Sequence, residues 1–206
     1  FGYNRDVDTG DMPYTLRFDK GAPYPWDLPP ATLSVYSDDT SDNEIGSGGR
    51  TVLIQGLDEN GKELHEILTL QGVLPVQTVG TFSRLNRMSI DSVGLATVNE
   101  GTICAENDGQ KVGCIGPAAG STNMSKYSIP MDWLGGAVMV RAWGSIADKN
   151  SGTTLFQMRI RQSPDKPWHA VGVLSAAIES GIVDFTPQVP IRLAPGADID
   201  LQALDS

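Results

Sequence analysis

Short runs in which hydrophobic and polar residues alternate, separated by turn-forming residues, dominate the chain from residue 31 onward. Segments such as ATLSVYS at 31–37 and GGAVMVRAWGSIA at 135–147 have the period of two that is typical of β-strands, and a helical period is nearly absent. Regularly spaced short strands favour an all-β, antiparallel β-sandwich, for which we predict jelly-roll-like connectivity over residues 31–206. The core candidates are Phe82, Leu85 and Met88, and Leu33 and Val35 are expected on one side of their strand.

Residues 50–72 form the clearest predicted hairpin, with its turn at Asn60-Gly61. Asn-Gly favours a two-residue type I′ turn, which fixes the strand register. In that register Val52, Ile54 and Ile67 lie on the face opposite to the leucines. Because both faces are then apolar, we expect Ile54 and Ile67 to pack against something beyond the first sandwich layer, such as another subunit. The predicted cross-strand pairs are Leu57 with Leu64, Leu53 with Leu68, and Thr51 with Leu70.

Residues 1–30 read as an extended N-terminal arm. The segment has no sustained period and contains five prolines, which disfavour both a helix and a central strand. It is nevertheless rich in aromatic residues, which disordered linkers usually lack. Such an arm needs a surface to lie on, either its own domain or a neighbouring subunit. The candidate partner-binding side chains are Phe1, Tyr3, Tyr14, Phe18, Tyr24 and Trp26.

Composition and charge exclude two classes of partner. The formal net charge is −10 and the fifteen Lys and Arg residues are scattered, so we expect no nucleic-acid binding. No apolar run approaches the roughly eighteen residues of a membrane span, so we expect no membrane partner.

The two cysteines, Cys104 and Cys114, flank a second predicted hairpin at Asn107-Asp108-Gly109. A three-residue loop centred on Asp108 would place the thiols directly opposite each other, whereas a shift of one residue would separate them. The sequence therefore leaves a disulfide open, and two cysteines without further ligands do not make a zinc site.

Several catalytic and metal-binding patterns are present only weakly. Asp8-Thr9-Gly10 matches the aspartic protease triplet, but it lacks the apolar strands that frame a catalytic aspartate. We expect the acidic groups at 6–11 and 38–44 to be solvated loops rather than calcium sites. His65 and His169 have no nucleophile elbow, and residues 46–49 are expected to form a turn rather than a phosphate cradle. We therefore expect no enzyme activity and no cofactor.

Three tryptophans, Trp133, Trp143 and Trp168, lie in alternating apolar contexts. Their rings are able to stack on sugars, but core packing is the favoured prediction.

The first hundred residues contain a series of short motifs in a fixed order. They are FGYNRDVDT at 1–9, WD at 26–27, SDDT at 37–40, GSGGRTVLIQGLD at 46–58, EILTLQG at 66–72 and RLNR at 84–87. This series resembles a family of virion structural proteins of tailed bacteriophages, common in marine and cyanobacterial phages. The arm at 12–24 fits the family pattern loosely. The motif residues of the hairpin are Arg50, Gly56, Leu57, Asp58, Gly61 and Gly72.

The resemblance implies a non-enzymatic role in the virion. We expect a capsid decoration or cement protein that is made in the host cytoplasm, self-associates as a trimer, and contacts the major capsid protein or another virion protein through its arm. The alternative is a receptor- or carbohydrate-binding module of a head fibre or tail.

Overall fold

A computed structural model of the chain describes the backbone of residues 14–15, 24–139, 142–145, 153–177 and 182–205, and the side chains of 24–139, 155–173 and 186–202. Its regular elements within these ranges are all β-strands, and all of their pairings are antiparallel. This confirms the predicted all-β class. The described part of the chain contains no helix of the length and apolarity that crossing a bilayer requires.

Sixteen strands are described. They are β1 (Tyr14–Thr15), β2 (Ser34–Ser37), β3 (Gly49–Asp58), β4 (Glu63–Thr69), β5 (Val76–Gln77), β6 (Phe82–Val93), β7 (Ile103–Asn107), β8 (Gln110–Ile115), β9 (Lys126–Ser128), β10 (Ala137–Met139), β11 (Ala142–Ser145), β12 (Thr153–Arg161), β13 (His169–Ala177), β14 (Ile182–Phe185), β15 (Ile191–Leu193) and β16 (Asp198–Asp205).

Residues 24–124, here called the N-terminal sandwich, contain two sheets of order β5-β2-β7-β8 and β4-β3-β6. Alternate residues of each strand point into one apolar cluster, as the period of two requires. The three predicted core residues Phe82, Leu85 and Met88 are among its buried members, which confirms that prediction. Leu33 and Val35, which were predicted to share one side of their strand, are buried in the same cluster. The largest fully buried side chains include Phe82, Leu33, Ile54, Leu70 and Leu85.

Residues 125–205, here called the C-terminal sheets, contribute β16, β12 and β13 to the sheet β1-β16-β12-β13, in which β1 comes from residues 14–15 and β9 also pairs with β16. They also contain the two-stranded sheets β10-β15 and β11-β14. Their apolar residues form a second cluster around Ile129, Ile160, Leu193 and Ala197. The strand orders do not confirm the jelly-roll connectivity, which stays a prediction.

The predicted register of the β3-β4 hairpin is wrong by one residue. Leu53 pairs with Ile67 rather than with Leu68, and Leu68 pairs with Val52. The loop has three residues instead of two, because the Asp58 carboxylate accepts the backbone N–H groups of Asn60 and Lys62, each at 2.8 Å. Of the Asn-Gly pair, Gly61 alone has a positive φ (74°), so the turn is not type I′.

The shifted register gives the hairpin one apolar face and one mainly polar face. Val52 and Ile54 are fully buried inside the sandwich, while Ile67 is 56% exposed on the outer face beside Leu53. The prediction that Ile54 and Ile67 both pack beyond the first layer is therefore wrong. Leu57, near the end of β3, is buried. The neighbouring strand β6 has bulges opposite this end of β3.

The cysteine hairpin joins β7 to β8, and Cys104 and Cys114 form a disulfide with a Cα–Cα distance of 4.1 Å. Its turn has two residues, Asp108 and Gly109, both with positive φ. This turn alone would offset the cysteines, but a bulge between Ala105 and Glu106 restores the pairing.

The last part of the predicted arm belongs to the core. Tyr24 and Trp26 are each 5% exposed and pack in the apolar cluster of the N-terminal sandwich. Their assignment as partner-binding residues is wrong, since their rings are already covered by their own chain. The backbone of Tyr14 and Thr15 pairs with Ala203 and Gln202 of β16. Phe1, Tyr3 and Phe18, and the side chain of Tyr14, lie outside the described residues.

Candidate functional site

Three of the motifs that carry the family resemblance, those at 37–40, 46–58 and 66–72, meet at one place in the N-terminal sandwich, around the carboxylate of Asp42. This side chain is fully buried. One of its oxygens accepts the backbone N–H groups of Gly49 at 2.6 Å and Glu100 at 2.9 Å. The other accepts the Ser37 hydroxyl at 2.7 Å and the Gly101 N–H at 2.8 Å. Four donors replace the water that a buried carboxylate loses, so this acidic residue is structural. The prediction that the acidic group at 38–44 is a solvated loop is therefore wrong at Asp42.

Backbone bonds extend this arrangement to the other motifs. Gly72 donates its N–H to the Asp42 carbonyl and accepts the Ser37 N–H, both at 2.8 Å. Arg50 donates Nε to the Gly46 carbonyl at 3.1 Å. Gly72 has a φ of 63°, and a Cβ there would lie 3.1 Å from the Thr40 backbone. The SDDT, GSGGR and EILTLQG segments are therefore held together by groups that leave no room for larger side chains.

Gly56, the remaining glycine of the hairpin motif, sets the distance between β3 and β6. A Cβ at this position would lie 2.1 Å from the Arg84 carbonyl oxygen, a contact that backbone atoms cannot relieve without moving a strand. The hairpin motif thus specifies close packing rather than catalysis.

The weak catalytic and metal patterns gain no geometric support. The side chains described include no group of three or more His, Cys, Asp or Glu residues placed to hold a metal ion. His65 and His169 are both exposed. Asp6, Asp8 and Asp11 lie outside the described residues. A recess beside Tyr24, Leu28 and Phe82 has a volume of about 10 Å³, room for about one water molecule.

A buried charged cluster, which the sequence analysis missed, lies where the N-terminal sandwich meets the C-terminal sheets. In β16 the polar residues Asp198, Asp200 and Gln202 are buried, whereas Ile199 and Leu201 between them are half-buried. The charged face of this strand therefore points into the protein. Arg159 and Arg161 alternate in the same way on the neighbouring strand β12, where they pair with Asp200 and Asp198. Two strands with alternating charges of opposite sign were the sequence signal from which this cluster could have been predicted.

The charges form two adjacent rows across three strands. In the first row Arg161 Nε donates to Asp198 at 2.7 Å, and the Ser128 hydroxyl donates to the same carboxylate. In the second row Arg159 Nη2 donates to Asp200 at 2.8 Å, and Lys126 lies opposite Asp200 on β9. Each carboxylate is thus already bonded to an arginine within its own sheet.

Aromatic rings cover this charged face. Trp26 and Trp168 contact edge to face with centroids 5.0 Å apart, and the Arg161 guanidinium lies within 5.4 Å of both centroids. Arg159 lies 4.3 Å from the Trp168 ring, and Lys126 Nζ lies 3.8 Å from the Tyr24 ring. Such contacts place positive charge on the negative faces of the rings. We call these residues, together with Arg84, the charged junction.

Contacts across the charged junction join the two parts of the chain. Arg84 Nε of β6 lies 3.6 Å from Asp198, and the Asn86 side chain exchanges two hydrogen bonds of 2.9 Å with the backbone of Ser128. The Lys126 ammonium donates to the Leu85 carbonyl. Burial and, next, the charge of Arg84 lower the pKa of Lys126 to about 7, against the opposing effect of Asp198 and Asp200.

A second candidate surface is the loop of residues 130–136, which follows β9. Backbone bonds hold it: Met131 donates its N–H to Gly61 O at 2.7 Å, and Gly136 donates to Trp133 O at 2.6 Å. Leu134 is 92% exposed and Trp133 is 39% exposed, so core packing of Trp133 was a wrong prediction. Trp168 is half-buried against the core as predicted, and the side chain of Trp143 lies outside the described residues.

No protein-family model matches the chain, and no curated protein matches it at a significant level.

Proposed function

We propose that the chain is a non-enzymatic structural protein of a bacteriophage virion, acting as a capsid decoration or cement protein. It is made in the host cytoplasm, associates with copies of itself as a trimer, and binds the major capsid protein or another virion protein. The family resemblance is the source of this proposal.

The observation that carries the proposal is the convergence of the resemblance motifs on Asp42. Motifs from 37–40, 46–58 and 66–72, which are separated in sequence, are bonded to one another through a single buried carboxylate and close-packed glycines. This supports the view that the shared residues record a shared fold, because they act together in packing. It also fits a protein whose role is to be a stable unit of an assembly.

The exposed loop at 130–136 supports self-association. Its exposed side chains include Met131 and Trp133, residue types that are enriched at protein interfaces, and beside them Leu134, a large apolar side chain left in water. The loop is held by backbone bonds, so little conformational entropy would be lost on binding. With Tyr24 and Trp26 buried in their own chain, residues 1–23 remain as the proposed arm contact.

Cryo-EM of intact particles that contain this chain tests the proposal directly. We expect density for the sandwich on the outer face of the head, repeated around local threefold axes. The proposal would be overturned if mass spectrometry did not detect the chain in purified particles. It would also be overturned if the density of the chain were confined to the tail tip.

Self-association has its own test in solution. We expect the purified chain to elute at about three times its mass of 22.0 kDa in light-scattering chromatography. Leu134→Asp should shift it towards the monomer without loss of folding, because Leu134 is 92% exposed. Lys166→Gln, also exposed and carrying the same change of one charge unit, is the control that should stay trimeric. A monomeric wild-type chain would contradict this part of the proposal.

The alternative function, a carbohydrate-binding module, is favoured by one observation. The exposed Trp133 ring lies 6.5 Å from the half-buried Tyr127 ring at an angle of 42°. Burial raises the pKa of Tyr127, and the negative charge of the nearby Glu63 raises it further. Two rings beside a carboxylate fit a sugar, which offers apolar C–H faces and hydroxyl groups.

A glycan array with wild type and Trp133→Ala separates the alternatives. A carbohydrate-binding module predicts glycan binding that the variant loses. Absence of binding by the wild type, with trimer formation lost in Trp133→Ala, would assign the loop to assembly.

A further inference from the structure

Lys126 is the one cation of the charged junction with no carboxylate of its own. Its side chain is 5% exposed, and its ammonium group contacts a backbone carbonyl and an aromatic ring. The two carboxylates nearby are bonded to Arg161 and Arg159 at 2.7 and 2.8 Å. An ammonium group buried in this way keeps little of its hydration, and the described residues offer it no ion pair in exchange.

Among the described residues, the charged groups of the junction that surround Lys126 come from three strands. Arg84 lies on β6, Arg159 and Arg161 lie on β12, Asp198 and Asp200 lie on β16, and the Tyr24 ring covers Lys126 from the segment that precedes β2. Asp27, at 3.9 Å from Arg161, is 97% exposed and lies at the rim. Within the described part of the chain, three arginines face two buried carboxylates, so a protonated Lys126 increases an excess of positive charge among these groups.

We propose that the charged junction is a pH-sensitive latch between the N-terminal sandwich and the C-terminal sheets, tight when Lys126 is neutral and weakened when it is protonated. This inference rests on the geometry of the described chain and does not depend on the proposed virion role.

The sign of the effect follows from the direction in which folding changes the pKa of Lys126. Its value falls from 10.5 to about 7 in the folded chain, so between these values the folded protein holds fewer protons than the unfolded one. Stability therefore rises as the pH increases from about 7 towards 10.5, and this contribution is absent below pH 7. An acidic medium is the condition that weakens the latch.

The latch is able to open without unfolding either part, because each part has its own apolar cluster. Two backbone amides measure this opening, because each is bonded between the two parts of the chain. Ser128 N–H donates to Asn86 Oδ1 at 2.9 Å, and Met131 N–H donates to Gly61 O at 2.7 Å. Two other amides serve as references, one in each part. Thr122 N–H donates to Met88 O within the N-terminal sandwich, and Ile129 N–H donates to Ala197 O within the C-terminal sheets.

Hydrogen exchange followed by NMR on the full chain at pH 6 and pH 9, corrected for intrinsic rates, tests the proposal. We expect the protection of Ser128 and Met131 to rise by about tenfold or more relative to the reference amides at pH 9. Lys126→Met should remove this difference, and Lys166→Met, a change of an exposed lysine, should keep it.

An NMR titration of Lys126 in the wild-type chain tests the same proposal without a variant, so its result does not depend on whether Lys126→Met folds. The Cε resonance of Lys126 should titrate with a midpoint near 7. A midpoint above 9, equal pH dependence of reporter and reference amides, or an unchanged difference in Lys126→Met would overturn the latch.

Discussion

Trp26 Nε1 donates a hydrogen bond of 3.4 Å to the carboxylate of Asp200, although the two residues are 174 positions apart. The bond joins the segment that we predicted to be an extended arm to β16. The same ring contacts Tyr24 at 4.7 Å and Trp168 at 5.0 Å. Trp26 is therefore a central packing residue of the charged junction.

Truncation of Trp26 should destabilise the folded chain. We expect Trp26→Ala to lower the free energy of unfolding by about 3 to 5 kcal/mol, because it removes a buried aromatic ring. Trp26→Phe should cost less, since it keeps a ring and loses the bond to Asp200. Urea denaturation followed by circular dichroism measures both. Leu95→Ala, at a 93% exposed site outside the loop at 130–136, is the control with a change below about 1 kcal/mol; equal losses for the two alanine variants would contradict the burial of Trp26.

The strands of this fold were predictable, but the register of its clearest hairpin was not. The alternation around β3 and β4 identifies both strands from the sequence. The turn depends on Asp58, whose carboxylate captures two backbone N–H groups and lengthens the loop by one residue. Because side chains alternate, this one residue moved Ile67 from the predicted apolar layer to the exposed face.

The charged junction was hidden for a different reason. Alternation in DIDLQ reads as apolar-in and polar-out, and here the polar residues are the buried ones. That reversal becomes favourable only when Arg159, Arg161 and the tryptophan rings come together from distant parts of the chain. A sequence pattern gives the period of a strand, whereas the partner of each face depends on tertiary packing.

The Asp42 carboxylate should be among the most sensitive positions of the N-terminal sandwich. Asp42→Ala leaves the N–H groups of Gly49, Glu100 and Gly101 without their acceptor. We expect a loss of about 3 kcal/mol or more in the free energy of unfolding, measured by urea denaturation. Glu44→Gln, an exposed change in the same acidic loop, should be within about 0.5 kcal/mol of wild type. A tolerated Asp42→Ala would show that the loops around it are held by other contacts.

The disulfide between Cys104 and Cys114 should stabilise the sandwich to a modest degree. It closes a short loop, with a sequence separation of 10, for which the chain-entropy estimate is about 3 kcal/mol. Replacing both cysteines by alanine should lower the urea midpoint by the corresponding amount. Wild type treated with a reductant is the matched control, since it loses the bond but keeps both sulfur atoms. Two thiols titrated in the unfolded, unreduced protein would contradict the disulfide.

Contact between the β3-β4 turn and the exposed loop can be measured with a pair of glycines that share a backbone conformation. Gly61 and Gly109 have φ values of 74° and 72°, so alanine is strained at both. A Cβ at Gly61 would lie 2.5 Å from Met131 Cγ, whereas a Cβ at Gly109 would meet no atom within 4 Å. We expect Gly109→Ala to cost about 1 kcal/mol and Gly61→Ala to cost more.

The excess cost of Gly61→Ala should disappear in a Met131→Ala background, because the three atoms nearest to the added Cβ, outside the neighbouring residues of the chain, all belong to Met131. Urea denaturation of the four combinations gives the coupling energy between the two sites as a double-mutant cycle. Met131 is 49% exposed, so its own truncation should cost little. Equal costs for Gly61→Ala and Gly109→Ala, with no coupling to Met131, would mean that the loop at 130–136 does not rest on the turn in solution. A coupling instead fixes the position of the Trp133 surface relative to the hairpin that carries the family motif.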